Sequence, residues 1–100
     1  MVLQQWNNLS ELTTMNKKQL EKVKQILSEW NPIGEQSSRI ADLNNYETEA
    51  VDILFYIDKK SSVDQINKIT AGILEEAFGV NIDLKESKKF AERIKNTIIE

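Results

Sequence analysis

The 100-residue sequence contains no histidine and no cysteine. Without histidine the chain lacks the commonest general base and cannot form Ser–His or Cys–His nucleophile pairs. Without either residue type, zinc sites of the usual kind, iron–sulfur clusters and disulfides are excluded. We therefore expect no enzyme activity, no catalytic, cofactor-binding or metal-binding residues, and no cofactor.

Glycine, proline and long apolar runs are also scarce. The three glycines, at positions 34, 72 and 79, cannot build a phosphate-binding loop. The longest apolar run is Ile53-Leu54-Phe55-Tyr56-Ile57, whereas a membrane helix needs about 20 such residues. The first residues have neither the basic start nor the apolar stretch of a secretion signal. The expectation is a cytoplasmic protein without a membrane partner.

Apolar residues recur instead at spacings of three and four, which is typical of amphipathic helices. They predict an all-α fold with four main helices, near residues 16–30, 45–58, 62–78 and 84–99, in a small antiparallel bundle. A short extra N-terminal helix is possible. Residues 1–15 are predicted to be an N-terminal extension and residues 16–100 a single domain. Helix-start and helix-end signals support these boundaries: Asn16, Asn44 with Glu47, Ser62 with Gln65, Asp83 with Glu86, and Gly79.

Negative charge is concentrated in one stretch of the chain. Residues 35–58 carry six acidic residues against Arg39, a charge of −5, while the rest of the chain sums to +2. Acidic side chains steer a basic partner and aromatic side chains anchor it. The overall charge of −3 argues against direct nucleic-acid binding. The predicted partner is a basic protein, and the predicted contacts are Glu35, Asp42, Tyr46, Glu47, Glu49, Asp52, Phe55 and Tyr56.

Two alternatives to this docking surface stay open. Val51 and Phe55 fall off the main apolar stripe of the second helix, so this helix is either the central helix of the bundle or a helix with a second partner. A second partner would make the chain a helical regulatory or scaffold module that self-associates, so a homodimer is possible. The second alternative is an enzyme that uses carboxylates and tyrosine alone. It would need a carboxyl group with a strongly raised pKa.

The end of the first helix carries an unusual string, Trp30-Asn31-Pro32-Ile33-Gly34. A polar acidic loop follows, and Tyr46-x-x-Glu49 opens the next helix. This pattern, from Leu20 to Gly79, resembles the small YugE-like all-helical bacterial domains. Trp30, Pro32 and Gly34 match as structural residues, while the segment before Met15 departs from the compact pattern.

The resemblance implies a protein without catalytic residues, because that family has no established enzymatic activity. Similar small helical proteins serve as immunity proteins beside the toxins of contact-dependent growth-inhibition systems. The expectation is therefore an immunity protein that neutralises a bacterial toxin through an acidic surface, and the expected toxin is a nuclease.

Overall fold

The computed structural model describes residues 17–40 and 43–99 of the chain. This part is helical and contains no strand, which confirms the predicted all-α class. The N-terminal extension, the predicted cap Asn16 and the predicted contact Asp42 lie outside the described residues. Four α-helices are present: α1 over residues 17–30, α2 Glu47–Tyr56, α3 Val63–Phe78 and α4 Leu84–Ile99. Two short 3-10 helices, Gly34–Arg39 and Asn44–Tyr46, lie between α1 and α2.

Helices α3 and α4 form an antiparallel hairpin. The side-chain amide of Asn67 donates to the carbonyl of Leu84 over 2.8 Å, and the hydroxyl of the buried Ser87 donates to Asn67 Oδ1. At the other end, Lys95 Nζ donates to the carbonyl of Ser61 over 2.5 Å. The start of α4 therefore lies beside the second turn of α3, and its last turns lie beside the residues that precede α3.

Helix α1 packs between α4 and α2. Trp30 stacks on Phe90 of α4 with ring centroids 4.8 Å apart, and Glu29 pairs with Arg93. On its other side, Lys24 pairs with Glu47 at the start of α2. Because α2 also contacts α3, the four helices close into a bundle around one core.

The core is built from the predicted apolar stripes. Its fully buried large side chains include Leu27 of α1, Ile53 of α2, Leu74 of α3 and Ile94 of α4. Each such side chain contributes about 1.5–3 kcal/mol by transfer from water, before the entropy of ordering the chain is subtracted.

The ends of α3 confirm two of the predicted boundary signals. Ser62 accepts a hydrogen bond from the backbone of Gln65, whose side chain returns one to the backbone of Ser62, so the capping box is complete. Gly79 closes α3 in the left-handed conformation, at φ 66°, which costs glycine little because it has no Cβ. Before α4, the side chain of Asp83 accepts from the backbone N–H of Lys85 over 2.8 Å.

The entry to α2 differs from the prediction. Asn44 does not act as the N-cap, because α2 begins only at Glu47 and no side chain caps it. Instead Asn44, Asn45 and Tyr46 all have positive φ, at 46°, 57° and 64°. Asparagine tolerates this conformation, whereas for tyrosine it is strained. The chain therefore turns left-handed into α2, and the predicted capping box of Asn44 with Glu47 is wrong.

No helix in the described ranges combines the length and the apolarity needed to cross a bilayer.

Candidate interaction surface

Helix α2 turns one face outward, and that face carries large apolar side chains. Val51 is 47% exposed, Phe55 79% and Tyr56 64%. The rings of Phe55 and Tyr56 contact each other edge to face, with centroids 5.1 Å apart. Together with the exposed Asp52, these four residues form a patch, here called the α2 patch. Exposed apolar patches of this kind often mark interaction sites.

A groove runs along one edge of the α2 patch, between α1 and α2. It has a volume of about 550 Å³. Leu20, Val51, Leu54 and Phe55 supply its apolar lining, while charged side chains stand along it. These charged residues are Lys17, Glu21 and Glu47. Asp52 and Tyr56 do not line the groove, so they form the opposite edge of the patch.

Tyr46 lies inside the bundle, which corrects its selection as a contact residue. It is 2% exposed, and its hydroxyl donates to Asn31 Oδ1 over 2.7 Å. Its ring packs edge to face on Phe78, with centroids 5.9 Å apart. Burial raises the pKa of the Tyr46 hydroxyl, and the negative charge of Glu49 adds to this effect. Tyr46 therefore fastens the end of α1 to the start of α2 and is not available to a partner.

Glu49 is corrected in the same way, because it is only 8% exposed and is engaged within the chain. It precedes the buried Ile53 by four residues, so it shares the inward side of α2 with Ile53. That spacing was the signal for its burial.

Glu47 is exposed in part but is held by an ion pair. Lys24 Nζ lies 3.2 Å from Glu47 Oε1 and 3.7 Å from Glu21 Oε1. The hydrogen bond from Lys24 lowers the pKa of Glu47, with a further contribution from Asn44. The buried Lys24 was missed by the sequence analysis, because only the tertiary structure shows which carboxylate from α2 neutralises it.

The other described acids of the stretch 35–58 either close a turn or lie on the surface. Asp58 Oδ1 accepts from the backbone N–H of Lys60 over 2.8 Å and so closes the turn after α2. Glu35 is exposed in the first 3-10 helix, and Asp52 is exposed on α2. Of the predicted contact acids that the structure describes, Glu35 and Asp52 are thus the two that are exposed.

The described carboxylates do not assemble into a catalytic or metal-binding cluster. Within residues 17–40 and 43–99, no three acidic side chains converge on a position where they could hold a cation. The pKa of Glu29 is lowered by its hydrogen bond from Arg93, and the pKa of Glu47 is lowered as well. These shifts are opposite to the raised carboxyl pKa that a general acid needs.

These features define a small all-α protein, a four-helix bundle whose exposed aromatic side chains lie together on α2. The model of a family described as a domain of unknown function, DUF1871, matches residues 22–97. Since this match runs from α1 almost to the end of α4, the chain belongs to that family. No curated protein and no solved structure matches the chain. The family description assigns no activity, so function is argued from the surface of the chain.

Proposed function

We propose that this protein works by binding another protein through the outward edge of α2, without catalysing a reaction. The observation that carries the proposal is the exposure of Tyr56 beside the exposed Asp52. An aromatic side chain buried at the centre of an interface is a typical hot spot. A carboxylate beside it steers association with a basic surface.

The more specific form of the proposal is an immunity protein that neutralises a basic nuclease toxin of a contact-dependent growth-inhibition system. It is supported by the resemblance of the Trp30-Asn31-Pro32-Ile33-Gly34 string and by the exposed acids Glu35 and Asp52. A nuclease active site is basic because it binds phosphates, so an acidic partner is complementary to it. We place the protein in the cytoplasm, where such a toxin meets nucleic acid.

The first test is genetic context followed by binding kinetics. The immunity proposal expects a neighbouring gene for a large secreted protein that ends in a basic toxin domain. That domain, purified, is mixed with this protein in a stopped-flow instrument at several salt concentrations. We expect the double variant Glu35→Lys with Asp52→Lys to associate roughly tenfold more slowly at low salt and to show a weaker salt dependence.

The matched control is Glu86→Lys with Glu92→Lys, which reverses two exposed charges on α4. Both double variants change the net charge by the same amount. A difference between their association rates therefore comes from the positions of the substituted charges. If the two double variants slow association by the same factor, the charges of this surface do not guide the partner. If no neighbouring gene encodes a toxin, the immunity form of the proposal fails, while binding without catalysis is still open to test.

A further inference from the structure

The groove edge of the α2 patch has the features of a surface that binds a copy of itself. Phe55 protrudes with 79% of its surface exposed, directly beside an apolar groove of about 550 Å³ lined by Leu20, Val51 and Leu54. A projection and a recess that lie side by side on one face match their own image after a two-fold rotation. We propose that the occupant of this groove is Phe55 of a second copy of this chain, in a two-fold symmetric dimer.

The register between α1 and α2 specifies which residues meet in that dimer. The contact of Lys24 with Glu47 aligns the two antiparallel helices. One helical turn further along each helix, Glu21 lies level with Val51, and the next turn brings Lys17 level with Phe55. Lys17 and Glu21 therefore stand along the groove one turn apart, with opposite charges.

The proposed two-fold axis lies in the plane of the interface and runs across α2 at a right angle. Rotation about it places α1 over α1 of the other copy and α2 over α2 of the other copy, each pair antiparallel. Phe55 of each copy then lies over Val51 of the other. Because Lys17 is level with Phe55 and Glu21 is level with Val51, the same rotation brings Lys17 of each copy to Glu21 of the other. The face thus combines an apolar centre with two reciprocal ion pairs, which is charge complementarity of the face with itself.

The size of the face sets the strength of the dimer. The exposed apolar area around Phe55 and Val51 is on the order of 300 Å², whereas a standard interface buries about 800 Å² on each partner. The dimer is therefore weak and depends on concentration. It goes beyond the proposed function, since Asp52 and Tyr56 lie on the other edge of the patch and stay outside the groove.

The first experiment is sedimentation of the full chain between about 10 μM and about 1 mM, a range that covers weak interfaces. We expect a reversible monomer–dimer equilibrium in which Phe55→Ala raises the dissociation constant at least roughly tenfold. The control is Leu84→Ala, which removes an exposed apolar side chain from α4 and leaves the equilibrium unchanged. A chain that stays monomeric throughout this range overturns the proposal.

A charge swap tests the register. Lys17→Glu and Glu21→Lys each place like charges opposite each other, so each variant alone is expected to dimerise roughly tenfold more weakly than wild type. In an equal mixture of the two variants, both cross-subunit pairs are again of opposite charge. We therefore expect native mass spectrometry to find the heterodimer in excess of either homodimer. A mixture with only the statistical share of heterodimer overturns the proposed arrangement, and unchanged thermal melting of each variant confirms that the fold is intact.

Labelling separates the dimer from other occupants of the groove. The chain has no cysteine, so Gln19→Cys introduces a single thiol into the lining of the groove and leaves Phe55 in place. We expect its reaction with a maleimide to slow as protein concentration rises, in proportion to the fraction of dimer. Protection that is the same at every concentration assigns the groove to another segment of the same chain and overturns the proposal. The toxin-binding edge is unaffected by either outcome, because Asp52 and Tyr56 do not line the groove.

Discussion

The α3–α4 hairpin and the α1–α2 pair share one core but are built in different ways. The hairpin has a short connection, a complete capping box at Ser62, a glycine at the end of α3, and a buried hydrogen bond from Ser87 to Asn67. The α1–α2 pair has a long connection, a strained left-handed Tyr46 at its end, a buried Lys24 and exposed rings on α2.

This difference distinguishes the hairpin, whose features are those of a supporting structure, from the α1–α2 pair, whose features are those of an interaction surface. In the hairpin each local signal agrees with the packing, which is the consistency expected of a segment selected for stability alone. In the α1–α2 pair the backbone takes a strained path, and α2 is packed on one face only. Strain and exposed aromatic side chains are features that concentrate at functional sites. The comparison therefore supports the proposal that α2 binds a partner while α3 and α4 serve as its scaffold.

The largest expected effect contrasts the two tyrosines of the α2 region. Tyr46→Ala removes a buried ring and its hydrogen bond to Asn31, so we expect the free energy of unfolding to fall by about 3–5 kcal/mol. Tyr56→Ala removes a ring that is already exposed, so the expected change is under about 0.5 kcal/mol. Urea denaturation of both variants measures the contrast. Equal losses would mean that the outward face of α2 is part of the core.

An intermediate effect is expected within the hairpin. Asn67→Ala removes the acceptor of the Ser87 hydroxyl and a donor to the Leu84 carbonyl, which leaves these two groups only their long 3.4 Å contact with each other. A buried group that is poorly satisfied costs about 1–3 kcal/mol. The control, Asn81→Ala, changes an exposed asparagine in the connection between the same two helices. Thermal unfolding should show a loss for Asn67→Ala alone. A loss of similar size for Asn81→Ala would contradict the assignment of Asn67 as the residue that joins α3 to α4.

The smallest expected effect is on the stability of the fold at acidic pH, and it tests the contact between α1 and α2. The pKa of Glu47 is lower in the folded chain than its ordinary value of 4.5, so its ion pair stabilises the fold fully above that value. This stabilisation is lost as the pH falls below 4.5 and through the lowered pKa. Glu47→Gln should therefore weaken the fold at neutral pH and make the loss of stability in acid less steep.

The measurement is the melting temperature of both proteins from neutral pH down to about pH 3, below the ordinary carboxyl range. Glu29, whose pKa is lowered by Arg93, still titrates in the variant and supplies the remaining slope. Identical slopes for wild type and Glu47→Gln would show that the contact of Glu47 with Lys24 does not contribute to folding.

Much of the fold followed from spacing and capping signals. The ends of α3 and the start of α4 depend on Ser62, Gly79 and Asp83, which act through bonds to nearby backbone, so a local pattern is enough to find them. The entry to α2 was missed because Asn44 is an equally good residue for a helix cap and for a left-handed turn. Packing of Tyr46 against Phe78 decides between the two, and this is a contact between distant parts of the chain.

The candidate site could be predicted only in part, because some of its features also depend on contacts between distant parts of the chain. Val51 and Phe55 stand off the apolar stripe, and the structure places both on the exposed face. The apolar stripe of the second helix includes Tyr46 and so indicated that this side chain points inward. Tyr46 was nevertheless predicted as a contact residue because it lies within the acidic stretch of the sequence. Charge counted along the sequence does not reveal that Glu47 is paired with Lys24 or that Glu49 is buried, because those outcomes depend on neighbouring elements.

The central claim is that the outward edge of α2 binds and blocks a toxin, and inhibition measures it most directly. A toxin domain found in a neighbouring gene would be assayed for nuclease activity with increasing amounts of wild-type protein or of the double variant Asp52→Lys with Tyr56→Ala. We predict that wild type abolishes the activity near a one-to-one ratio, whereas the double variant, with an unchanged melting temperature, needs at least roughly a hundredfold more protein, as expected for a lost hot spot and a reversed charge. Equal inhibition by the two proteins would contradict the claim.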